Sequence, residues 1–178
     1  MRILLADLRA KQALYSQYGA RCSLLRALCT DGTLAMILYR LQWGLARLRL
    51  APAALLIQWL NKFMNGCMIG VRADFGPGFV LAHPVGTVIN SAVRGGRNVW
   101  LQSSVVIGEN RGRSPVLGDD VFIGSGARII GGIRIGNGAR IGANAVVVHD
   151  VAPGVTVVGI PARPVGSTDP APGRPLGG

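Results

Sequence analysis

The sequence predicts a mainly β protein: a parallel β-helix of hexapeptide repeats preceded by a short α-helical N-terminal region. Three observations carry that expectation. Apolar or β-branched residues recur at every sixth position from Ile69 to Val147, Arg111 excepted, a period that fits neither a helix at 3.6 nor an alternating strand at 2. Glycine follows the aliphatic residue at 70, 76, 118, 124, 136 and 142, and the chain holds 26 glycines in 178 residues. Before residue 66 the pattern changes to apolar residues at helical spacing.

Composition narrows the classes further. Net charge is +11, yet only 15% of residues are charged and 49% are hydrophobic, which excludes a disordered polyelectrolyte. Aromatics at 6% are too few for base-stacking platforms, and the basic residues are spread along the whole chain, so no nucleic-acid partner is expected. Cys22, Cys29 and Cys67 form no CxxC spacing, so neither a disulfide framework nor a structural metal site is expected. A reducing, cytoplasmic setting suits them. The first residues carry Asp7 inside their apolar stretch and lack a long apolar core, which argues against a signal peptide. The longest charge-free apolar run, Leu50 to Asn61, is too short to span a bilayer.

Residues 1–66 read as helices. Leu34, Ile37, Leu38, Leu41, Leu45 and Leu48 lie near helical spacing with Arg40, Arg47 and Arg49 between them. Asp31-Gly32 suits the start of that helix, Pro52 the start of the next over 53–63, and Asn65-Gly66 its stop. Two uses suit these helices: apolar faces buried against the protein or a sister subunit, or a basic amphipathic surface peripheral to a membrane, favoured by Trp43, Trp59 and the arginines.

Residues 67–165 form the repeat. Stepping by six gives Ile69, Phe75, Leu81, Thr87, Val93, Val99, Val105, Leu117, Ile123, Ile129, Ile135, Ile141 and Val147; only Arg111 interrupts the series. Each hexad supplies a short strand and a corner, and three hexads close a triangular coil. The aliphatic side chains stack from coil to coil because no single coil can bury its own face. The phase fails at Asn110-Arg111-Gly112-Arg113-Ser114-Pro115, which reads as a loop extruded from a corner, since a guanidinium does not enter an apolar core. A closing strand is expected after Val155, and residues 166–178, rich in Pro and Gly, read as a disordered tail.

The segment from Phe75 to Pro164 resembles the serine acetyltransferase branch of the hexapeptide-repeat acyltransferases. The likeness rests on Leu81-Ala-His-Pro-Val-Gly-Thr-Val-Ile-Asn, Val121-Phe-Ile-Gly-Ser-Gly-Ala-Arg-Ile-Ile-Gly, Ile141-Gly-Ala-Asn-Ala-Val-Val-Val and Val158-Gly-Ile-Pro-Ala-Arg. The helical N-terminus is shorter than in serine acetyltransferases proper and looks more like small acetyltransferases of exopolysaccharide clusters of the colanic acid type. The resemblance implies a left-handed parallel β-helix, a homotrimer, acetyl-CoA as co-substrate in the groove between neighbouring prisms, and no metal. His83 matches the family's base within Ala82-His83-Pro84-Val85-Gly86. A neutral imidazole titrating near ~6.5 can take a proton from an attacking hydroxyl. Ser125, Ala143 and Arg140 match positions along the donor groove, where small residues admit the pantetheine arm and basic ones meet phosphates. Arg128, Arg134 and Arg163 also offer charge, one hexad apart on different faces for the first two. Arg113 matches the arginine that helps to bind the acceptor carboxylate. His149 reads as structural or solvated.

The departures shape the expected acceptor. The family's orienting carboxylate falls on Met68, so the imidazole must be held by a backbone carbonyl, water or an unaligned acid. The acid before the His is Ala82, and the next hexad's Glu is Ser91. With neutral residues at these places, the ammonium of an amino acid lacks carboxylate partners. The leading expectation is therefore an acetyl-CoA-dependent O-acetyltransferase acting on a saccharide or lipid-linked exopolysaccharide precursor, with direct attack, no acyl-enzyme, and backbone amides near Gly108 or Ser125 for the oxyanion. The alternatives are serine O-acetylation for cysteine biosynthesis and a catalytically silent trimeric scaffold. The ending Pro-Leu-Gly-Gly lacks the isoleucine that docks the family into cysteine synthase, so no such complex is expected.

Overall fold

The computed structural model describes residues 2–17 and 23–165. Four helices come first: α1 (Arg2–Gln17), α2 (Leu24–Leu28), α3 (Thr33–Arg47) and α4 (Ala51–Asn65). Strands of two or three residues follow: β1 (Met68–Ile69), β2 (Asp74–Phe75), β3 (Val80–Leu81), β4 (Val88–Ile89), β5 (Arg94–Gly95), β6 (Trp100–Leu101), β7 (Val106–Gly108), β8 (Val116–Leu117), β9 (Phe122–Ile123), β10 (Arg128–Ile130), β11 (Arg134–Ile135), β12 (Arg140–Ile141), β13 (Val146–Val147), β14 (Thr156–Val158) and β15 (Arg163–Pro164). The expected tail at 166–178 lies outside the described residues.

Every third strand pairs in parallel as far as β13, and β14 then pairs with β12, which makes a three-sided prism. Its first face is β1-β4-β7-β10-β13, its second β2-β5-β8-β11, and its third β3-β6-β9-β12-β14 with β15 added antiparallel to β14. Each hexad turns two side chains inward, such as Val121 with Ile123 and Ala139 with Ile141, and all are buried. On the third face Leu81, Leu101, Ile123, Ile141 and Val157 lie in one register column. Full burial stabilises each such aliphatic side chain by about 1.5–3 kcal/mol. One inward position is Gly95, stacked beneath Phe75, where a Cβ would overlap the aromatic ring.

Strand pairing corrects the count by six. Ile69 pairs with Ile89 and Leu81 with Leu101, so a coil here takes 20 residues rather than 18. The extra two residues lie between Leu81 and Ile89, at the corner that carries His83. The count survives only because Thr87, Val93, Val99 and Val105 are the other inward position of their hexads and are also buried. Four more residues enter between Ile107 and Leu117, in the expected extruded loop, where Arg111 is exposed with φ 52°. The two insertions together amount to one hexad, so the series regains phase at Leu117.

The helices close the prism's upper end. The first coil has no coil above it, and its backbone edge needs other partners. α3 supplies them: the Tyr39 hydroxyl donates to Ala73 O and accepts from Phe75 N, and Gln42 Nε2 donates to Ile69 O. Arg40 donates to the Phe75 and Gly76 carbonyls while pairing with Asp7 of α1 at 2.7 Å. Asp7 in turn accepts from the Gly78 and Phe79 amides. Burial raises the Asp7 carboxyl above its ordinary range despite Arg40 and those amides. From α4, Gln58 donates to Ile69 O and Asn61 to Ala35 O. Pro52 sits in the first turn of α4 and Gly66 caps it in the left-handed region. No helix among the described residues is long and apolar enough to cross a membrane.

Candidate active site

His83 stands at the corner between the third and first faces, two residues beyond Leu81. The β3–β6–β9–β12 register places Ser103, Ser125 and Ala143 at the matching step of the next three coils. At about 4.8 Å per coil this column runs down roughly 15 Å of one edge from the imidazole. Later corners of this edge turn in six residues, whereas the His83 corner has eight and carries the ring outward; its side chain is 54% exposed.

The imidazole is not left unheld. His83 Nδ1 lies 2.8 Å from Asp31 Oδ2. Asp31 lies in the turn between α2 and α3, far from the Met68 position where the family pattern puts an acid. An ionised carboxylate can only accept, so Nδ1 donates, and in the neutral imidazole that leaves the lone pair on Nε2. Gly32, with φ 79°, carries the chain past the prism so closely that a Cβ would overlap the Leu81 carbonyl oxygen. The turn is anchored from behind by Lys11 of α1, a fully buried ammonium that donates to the Asp31 carbonyl and, at 2.9 Å, to Thr33 Oγ1. Thr33 in turn donates to Ala27 O at 2.6 Å.

A cleft of about 360 Å³ opens beside His83. One wall is α1, through Leu14 and Tyr15. The other is the third face, through Gln102, Phe122, Ser125 and Ala143. Small side chains at 125 and 143 leave the corner backbone open to an extended ligand. Arg140 stacks its guanidinium on the Phe122 ring at 4.9 Å, at the edge of this cleft.

Thus His83, Ser125 and Ala143 line one cleft, with Arg140 beside it. Arg113 is not brought there. It lies in the loop between β7 and β8, at the corner between the first and second faces, roughly 15–20 Å of extended chain from the His83 corner. Arg128 and Arg134 fall on the first and second faces and Arg163 on β15, so they do not converge either. Gly108 lies on the first face, away from the cleft that Ser125 lines. His149 is exposed at the far end of the prism. Cys29 is exposed and Cys67 buried, both unpaired. Burial pushes the Cys67 thiol up to about 12. Among the described residues no group of His, Cys, Asp and Glu could hold a metal ion.

Asp31 is the residue that sequence reasoning missed as part of the site. The signal was present: Asp-Gly before a helix normally marks an N-cap, yet here Gly32 is the cap and no side chain bonds the first turn. The acid is committed elsewhere.

Comparison with known proteins places this geometry. Residues 114–149 match the family described as bacterial transferase hexapeptide (six repeats). A serine acetyltransferase of Mycobacterium tuberculosis is 36% identical over 120 residues, covering 65% of this chain and 52% of that protein. The chain therefore spans about half the length of that relative. A serine acetyltransferase of Helicobacter pylori (strain J99) is 36% identical over 138 residues, covering 75% of this chain and 81% of that protein. The crystal structure of Neisseria gonorrhoeae serine acetyltransferase in complex with serine superposes with a TM-score of 0.84 at 36% identity, covering 92% of this chain and 68% of that one.

These relatives overturn the expected saccharide or lipid-linked exopolysaccharide acceptor, because all of them are serine acetyltransferases. That expectation counted only the acids the family pattern aligns; the Asp31 carboxylate stands at the imidazole without any match in the aligned repeat. The absence of an orienting acid, which motivated the silent-scaffold reading, is removed by the same residue.

Proposed function

The chain belongs to the serine acetyltransferase family of hexapeptide-repeat transferases, and on that footing we propose that it transfers acetyl from acetyl-CoA to the hydroxyl of serine. The observation that carries the reading is the Asp31–His83 pair at the mouth of a cleft lined by Ser125 and Ala143. Asp31 holds the imidazole in the tautomer with Nε2 unprotonated. Nε2 removes the hydroxyl proton as the serine oxygen bonds to the thioester carbonyl carbon. The resulting tetrahedral intermediate expels the CoA sulfur, and the imidazolium returns its proton to that thiolate. General-base help of this kind is typically worth about 10²–10⁴-fold. Acetyl-CoA, a co-substrate, runs along the corner past Ser125 and Ala143, with the Arg140 guanidinium toward its phosphates.

Arg113 serves the acceptor only if it comes from a second copy, because its own chain holds it at another corner. A homotrimer meets that need. Met68 and Val88 on the first face, with Val85 at the His83 corner, supply exposed apolar surface for such packing.

The test is thiol release from acetyl-CoA by the purified chain. Serine is expected to support release, and light scattering is expected to give the mass of three chains. Release with a sugar but not with serine would overturn the acceptor assignment; a monomer that is fully active would overturn the shared site.

A further inference from the structure

α4 is built inside out. At 100° per residue, its buried stripe holds Ala54 and Asn61, with Gln58 beside them hydrogen-bonded to the prism. The opposite side carries Leu56, Trp59, Leu60 and Phe63, flanked by Leu55 and Met64, and all six are exposed. Phe63 is 76% exposed, Leu56 60% and Trp59 53%. Leu48 and Leu50, in the turn that leads into the helix, are 71% and 49% exposed. A helix docked only through its own chain shows the reverse arrangement. Isolated exposed leucines are ordinary, but a contiguous face of this kind marks a surface made for a partner.

Charge says which partner. Between Asp31 and Asp74 the sequence contains no Asp or Glu, although this stretch includes all of α3 and α4. Its cations are Arg40, Arg47, Arg49, Lys62 and Arg72. Arg40 is buried against Asp7, and the other four are exposed. Lys62 lies on α4 itself with its ammonium 5.2 Å from the Trp59 ring, and Arg47 stacks on Trp43 at 4.1 Å. Arg47 meets Asp74 only at 3.4 Å, in the open. Bulky apolar and aromatic side chains beside the exposed cations Arg49 and Lys62 are the chemistry of an anionic lipid surface. A second copy meeting this face about a twofold axis would set the same cations against themselves, with no acid on α3 or α4 to answer them.

We infer that the outer face of α4, with the α3–α4 turn, docks the protein on anionic bilayers as a peripheral contact. This is independent of the acceptor assigned above, since none of these side chains lines the cleft. Arg49 and Lys62 engage lipid phosphates while Leu56, Trp59 and Phe63 enter the acyl boundary.

The experiment is co-sedimentation of the full chain with phosphatidylcholine vesicles, with and without phosphatidylglycerol, at low and high salt. Binding is expected only to the anionic vesicles, with a blue-shifted Trp59 emission scored against Trp59→Phe. The triple variant Leu56→Gln/Trp59→Gln/Phe63→Gln is expected to lose at least ~10-fold in partitioning. Arg49→Gln/Lys62→Gln is expected to lose roughly tenfold, and high salt to act similarly. Both variants change only exposed side chains and keep the fold, checked by circular dichroism, and the rate of acetyl transfer. Failure of the parent chain to bind anionic vesicles, or equal binding by the triple variant, would overturn the inference. So would a drop in assembly mass for the triple variant, which would show that another copy covers this face.

Discussion

In the prism, the inward positions hold mostly Ile, Leu, Val, Ala and Phe, and Thr87 is its one fully buried polar residue among those described. In the helical cap, Asp7, Lys11 and Arg40 are all buried, along with Thr33, Gln42 and Asn61. The difference follows from how each region is specified. A coil has the coil above as its template, so apolar stacking and backbone pairing fix its place. The cap occurs once, with no template, and apolar packing alone would let it slide; charged and amide side chains hooked to particular carbonyls set its position. The chemistry is divided in the same way. The prism supplies His83 and the cleft floor, and the cap supplies the acid and the opposite wall.

That division can be broken from either side. The largest effect is expected on the prism side: His83→Ala should lower kcat by about 10²–10⁴-fold while calorimetry shows acetyl-CoA binding intact. An unchanged rate would remove His83 as the base. Next comes Ile123→Ala in the middle of the stack, which should cost about 2–5 kcal/mol in denaturant unfolding. Leu56→Ala on the outer face of α4 should stay within about 0.5 kcal/mol. Asp31→Asn tests the cap's share of the chemistry. The amide can donate to Nδ1 and so favour the wrong tautomer; kcat should fall about 10²-fold with the KM for acetyl-CoA unchanged. An unaffected kcat would make the contact structural only.

Lys11→Met sharpens the comparison further. It removes the ammonium behind the Asp31 turn from a residue that does not itself line the cleft, and should lower kcat about tenfold, in the same direction as Asp31→Asn but by less. If kcat holds while stability falls, Lys11 secures the cap and not the site.

The smallest effect concerns alkali. Burial raises the Cys67 thiol from 9 to about 12 and the Tyr39 phenol from 10 to about 12. Each keeps its neutral form longer when folded. The resulting stability is present in full below pH 9 and is lost as pH rises from there toward about 12. Unfolding midpoints at pH 8 and pH 10.5 should therefore diverge, and Cys67→Ala should narrow the gap.

Much of the fold was legible because the repeat states one instruction many times. The break at Arg111 and the closing segment after Val155 were readable for the same reason. The two-residue insertion before Ile89 was not: it shifts the phase from one inward position to the other, and both are apolar or small in every hexad. At the site, the column His83, Ser125 and Ala143 was legible from the likeness. The placing of Arg113 at a different corner of its own chain was not, since spacing along the chain does not say which corner of a prism a loop leaves.

By itself the sequence determined the prism and where the imidazole stands on it, since stacking equivalent side chains is a near-neighbour affair written in the period. Only the tertiary structure decided what holds that imidazole. Asp31 reaches His83 across a 52-residue separation through a contact that belongs to no repeat. A buried lysine, a glycine turn and a helix laid across the prism's open end bring it there, and none of those has a counterpart elsewhere in the chain.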